Sequence, residues 1–89
     1  MQALPTKLDT AQALSLATEI KADLEQNRWV HLNGKSVEMV GQACLQILLS
    51  ARLTAEKARL PFLIEDPSEA LRYGARLLGI ESLLFVPLT

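Results

Sequence analysis

A lone histidine, a lone cysteine and a pair of adjacent carboxylates are the residues of this 89-residue chain best suited to chemistry. His31 could move a proton, Cys44 could attack an electrophile, and Glu65-Asp66 could serve as acid and base. Their surroundings argue otherwise. His31 lies inside the short run Trp29-Val30-His31-Leu32-Asn33, and no acid, base and nucleophile set converges on it. It reads as a half-buried, hydrogen-bonded structural histidine. Cys44 falls on the apolar side of a helix, and reads as a small buried hydrophobe. Glu65-Asp66 reads as part of a helix cap, and Arg52, Lys57 and Arg59 as a solvated helix face. Gly34-Lys35-Ser36 imitates the end of a phosphate-binding loop, but Trp29 stands where the earlier glycine is needed. One cysteine and one histidine cannot build a Cys/His zinc site. No cofactor and no metal are expected, and the chain reads as non-enzymatic.

The elements that would position these residues follow from periodicity. Ala13, Leu16, Ala17, Ile20 and Leu24 recur at offsets of three and four, which predicts a helix from Thr10 to about Gln26. Asp9 with Gln12 reads as its capping box. Trp29 to Asn33 predicts a strand buried on both faces and stopped by Asn33-Gly34. Gln42 to about Ala58 predicts the most apolar helix, carrying Cys44, Leu45, Ile47, Leu48, Leu49 and Leu53. A helix this apolar is deeply packed or partly covered by a partner. Phe62-Leu63-Ile64 predicts another strand. Asp66 is expected as the N-cap of a third helix, with Pro67 at its first position, Glu69 at its third and Gly79 just past its end. Leu83 to Val86 predicts a last strand, ended by Pro87. Ala3 to Leu8 predicts a first strand, kept at a sheet edge by Pro5.

The order is β-α-β-α-β-α-β. The expected fold class is α/β: a small, mainly parallel four-stranded sheet with three helices in a single domain spanning residues 1–89. Leu45, Leu48, Leu49, Leu63 and Leu71 are the expected core. Trp29, Phe62, Ile64, Leu83 and Phe85 place apolar groups on both sheet faces, so a homodimer is expected. Eighteen leucines, eleven alanines and four aromatic residues make that core aliphatic. Nine basic and ten acidic residues give a net charge of -1, which argues against a nucleic-acid or anionic-membrane binder. No apolar run approaches the ~18–20 residues that span a bilayer, so no membrane insertion is expected. With one cysteine and no signal-peptide pattern, the expected location is cytoplasmic.

One longer stretch carries a resemblance. Val37-Glu38-Met39-Val40 is similar to the V-E-F-I-like segment of STAS domains, the anti-sigma factor antagonist family. Ala43, Leu45, Gln46, Leu48 and Leu49 resemble that family's D-S-A-G-L-Q-L-L-L helix start. Leu8-Asp9 resembles its L-D start. Asp66-Pro67-Ser68 through Leu77-Leu78-Gly79-Ile80 resembles its P-S-x-x-V-x-x-x-L-x-x-x-G-L segment. The likeness covers nearly the whole chain and implies a STAS-like βα superhelix.

It also implies a signalling module that docks on a protein partner, a GHKL-type serine kinase/anti-sigma factor or a related ATPase. The alternative is a small cytosolic STAS subunit of a lipid-trafficking ABC transporter. In phosphorylatable members a serine at the helix start accepts phosphate. Here Gly41 stands for the aspartate, Gln42 for the serine and Cys44 for the glycine. Gln42 has no hydroxyl, so the phosphoswitch is expected to be lost. The implied partner-binding loop is Met39, Val40, Gly41, Gln42, Ala43, Cys44 and Gln46.

Overall fold

The computed structural model describes residues 2–85. Two short strands open the chain, β1 (Gln2–Ala3) and β2 (Lys7–Leu8). Helix α1 (Thr10–Glu25) follows, then β3 (Val30–Asn33), β4 (Met39–Val40) and α2 (Gln42–Lys57). Strand β5 (Phe62–Glu65) leads to α3 (Glu69–Leu77) and the single turn α4 (Glu81–Leu84). Every described ladder is parallel. The molecule is therefore a small α/β protein, but its strands form two sheets. One has the order β1-β3-β5, and the other pairs β2 with β4.

The expected first strand is thus divided. Pro5 has no N–H to donate and breaks the ladder. The residues before it pair with β3, and those after it pair with β4. The expected last strand is also corrected. Leu83 and Leu84 belong to α4, while Val86 and Pro87 lie outside the described residues.

Helix boundaries follow local chemistry. The Gln12 N–H donates to Asp9 Oδ1 at 3.2 Å, as the cap predicts. The start of α3 comes later than expected. Asp66 adopts a left-handed φ of 47° instead of capping, and the Ser68 N–H donates to the Gly34 carbonyl at 3.0 Å. Ser68 is the N-cap, its Oγ accepting from the Leu71 N–H at 3.1 Å. Glu69 is consequently the first helical residue.

All three long helices end alike. Residues Asn27, Arg59 and Gly79 are left-handed, at φ 58°, 58° and 72°. The next N–H reaches back across the last turn: Arg28 to the Asp23 carbonyl, Leu60 to Ala55, and Ile80 to Ala75.

The core is aliphatic. Leu45, Leu48 and Leu71 lie in it as expected. Leu49 and Leu63 are only half-buried. For Leu63 the reason is the pleat: successive side chains alternate between faces. Val30, Leu32, Phe62 and Ile64 face the helices and are buried. His31, Asn33, Leu63 and Glu65 take the other face, which is only partly covered. Strand β3 is therefore not buried on both faces, and Trp29 just before it is 45% exposed. The two-sided apolar sheet on which the sequence expects a second copy to pack is replaced by one covered face and one mixed, open face.

Candidate functional site

The two-stranded ribbon delivers two helix starts side by side. Lys7 pairs with Met39, and Leu8 with Val40. One residue further along each strand stand the N-caps Asp9 and Gly41. The Thr6 carbonyl accepts from Glu38 and Met39 N–H at 2.8 and 3.1 Å, and the Leu8 carbonyl accepts from Gly41 N–H at 2.7 Å. The backbone of the site is therefore tied to β2 and the residue before it by a continuous set of bonds.

The two starts differ in their chemistry. Asp9 brings a carboxylate to α1. Gly41, extended at φ -93° and ψ 163°, has no side chain with which to cap α2. The first N–H groups of a helix carry partial positive charge and have no intrahelical acceptor. At α2 they lie beneath Gln42 and Ala43, both exposed.

Met39, Gln42, Ala43 and Gln46 reach the surface, while Val40 and Gly41 are half-buried. Cys44 lies beneath this surface and not on it. Its thiol is fully buried and donates to the Asp9 carbonyl at 3.3 Å. Burial pushes its pKa up, and the Asp9 carboxylate adds to the effect. A thiol held in this way is a packing group, with little thiolate to react.

Helix α3 completes the neighbourhood. A methyl on Gly74 would come within 2.7 Å of Val40 Cγ1 and 3.3 Å of Leu45 Cδ1, so α3 sits close against β4 and α2. One turn apart on α3, Tyr73 is 57% and Leu77 69% exposed. With Met39, 44% exposed on β4, they are exposed apolar groups on the two elements that pack around the α2 start, and the two on α3 were missed by the sequence reading. The signal was present: Leu71 and Ala75 form one stripe, and Tyr73 with Leu77 forms a second.

The remaining candidates lie elsewhere. His31 sits on the open sheet face, away from α2, and Glu65 approaches it from β5. Glu65 and Asp66 therefore do not cap α3. Arg52 is buried on α2 rather than solvated, whereas Lys57 and Arg59 are exposed. Lys35 donates its N–H to Asn33 Oδ1 at 2.9 Å, closing an ordinary side-chain-capped turn. Among the described residues, no group of three or more His, Cys, Asp or Glu side chains could hold a metal ion, and no helix is long and apolar enough to cross a membrane. No family model matches the chain, and no curated protein or solved structure matches it either.

Proposed function

We propose that the chain is a non-enzymatic, STAS-like regulatory module that docks on a protein partner through the start of α2. The partner class is a GHKL-type serine kinase/anti-sigma factor or a related ATPase. One observation carries the reading: Gln42 is exposed at the bare start of α2, and exposed apolar groups stand on the elements packed around it, Met39 on β4 and Tyr73 and Leu77 on α3, the helix whose Gly74 lies against Val40 and Leu45. Apolar side chains around a polar, uncharged centre suit a protein surface better than a small anion. The Asp9 carboxylate at the neighbouring helix start disfavours a second negative charge there.

In this reading the module binds constitutively. Gln42 offers an amide where a phosphoacceptor needs a hydroxyl. A partner kinase leaves the chain unphosphorylated, and ATP does not release it.

The test is Gln42→Glu. GHKL-type kinases and ATPases encoded beside the chain are purified and titrated against both forms. Glutamate at this position weakens docking, because a desolvated charge is costly. Folding changes little. A carboxylate near a helix start contributes about 0.3–1 kcal/mol, and repulsion from Asp9 offsets part of it. Equal affinity of the two forms removes Gln42 from the interface. Stoichiometric phosphate on Ser36, the nearest hydroxyl in the preceding loop, overturns the constitutive reading.

A further inference from the structure

The open sheet face holds a three-residue column that the docking surface does not use. The rings of Trp29 and His31 stack with centroids 4.3 Å apart and planes inclined by 24°. From the adjacent strand, Glu65 Oε2 lies 3.4 Å from His31 Nε2. That approach is within ion-pairing range but outside hydrogen-bonding geometry, and Nε2 is buried without a hydrogen-bond partner. The ring as a whole is 23% exposed and the Glu65 side chain 48%, so solvent protons reach both.

The other groups around His31 leave Glu65 as the anion that faces it. Leu63, opposite in register, is neutral. At the end of α1, Asp23 is already paired with Arg28 at 3.1 Å. From β1, Gln2 is neutral and bonds to Glu19. Together Gln2, Asp23, Asn27, Arg28, Trp29 and His31 line a recess of about 620 Å³ beside the column.

We propose that His31 is a proton-operated clasp between β3 and β5: on protonation its ring pairs with Glu65 while remaining stacked on Trp29. A neutral imidazole presents Nε2 to a carboxylate either as an acceptor, which is repelled, or as a weak donor. An imidazolium donates a charge-assisted bond there, and its charge is favoured against the face of an indole. Histidine is the side chain whose charge ordinarily changes between about pH 5 and 8. On protonation the open face of the sheet therefore changes from a neutral state, in which the backbone ladder alone joins β3 to β5, to one that is also charge-paired. Any partner of this face meets a different surface in each state.

The chain has one tryptophan and one histidine, so the clasp carries its own reporter. Intrinsic fluorescence is followed from about pH 8 to about pH 5 in the wild type, His31→Gln and Glu65→Gln, with far-UV dichroism confirming that each remains folded. Wild type loses intensity in a single-proton step, because a protonated imidazole quenches the indole stacked on it. The step is absent in H31Q. In E65Q the quench remains, since His31 still protonates. The second readout is the urea midpoint of wild type minus that of H31Q at the same pH. This difference grows on acidification when Glu65 is present and grows less in the E65Q background, where only the stack on Trp29 favours the charged ring. A quench that survives in H31Q overturns the proposal. So does a midpoint difference that is independent of pH, or one that grows equally in the E65Q background.

Discussion

At the start of α3, Ser68 Oγ accepts the Leu71 N–H and the Ser68 N–H donates to Gly34. A methyl on Gly34 would meet Leu71 Cδ2 at 2.8 Å and the Pro67 Cα at 3.2 Å. Backbone, cap and core are locked together there. At the start of α2, Gly41 supplies no cap, and a methyl on it would meet only the Leu8 carbonyl at 3.4 Å. The first N–H groups of α2 are left without a side-chain cap. One helix start is built to hold the fold, and the other is left available at the surface. The contrast suits the proposed division of labour, in which α3 braces β4 and the start of α2 is the docking site.

Three substitutions test that contrast, with decreasing effect. Leu71→Ala removes the fully buried side chain that lies beneath the α3 cap and against Gly34. It should cost about 2–5 kcal/mol, read from urea denaturation. Unchanged stability would mean that the α3 start is not locked. Ser68→Ala leaves the Leu71 N–H without its cap and should cost about 1 kcal/mol, lowering the melting temperature without changing the far-UV spectrum. Gly41→Ser does the reverse. It gives α2 the cap it lacks and should stabilise by only a few tenths of a kcal/mol, since the backbone there is already extended. A loss of stability in G41S would show that the α2 start is as tightly built as that of α3.

Much of the fold was legible because it rests on local rules. The periodic leucines and alanines define α1 and α2 almost to the residue. Asp9 as a cap and Gly79 as a left-handed terminator are local signals that held. The failures are non-local. Asp66 and Ser68 are both good caps, and the choice between them is made by the Gly34 carbonyl, 34 positions before Ser68 in the chain. Pro5 announces a break, but not that the two sides join different sheets. Arg59 in a left-handed conformation has no composition signal, because asparagine and glycine are the usual residues there. Of the proposed docking surface, Met39 to Gln46 lie along one segment of sequence. The contribution of Tyr73 and Leu77 depends on α3 lying against β4, which no local pattern states.

The single thiol gives the molecule a clock. Cys44 is fully buried at the seam between α1 and α2, its proton directed to the carbonyl of the α1 cap. An alkylating reagent needs a solvated thiolate, so it waits for α2 to lift from Asp9. The rate of modification then counts local openings of this one seam, in time instead of in free energy. It does so at the base of the proposed docking surface, where a bound partner that clamps α2 in place would slow it.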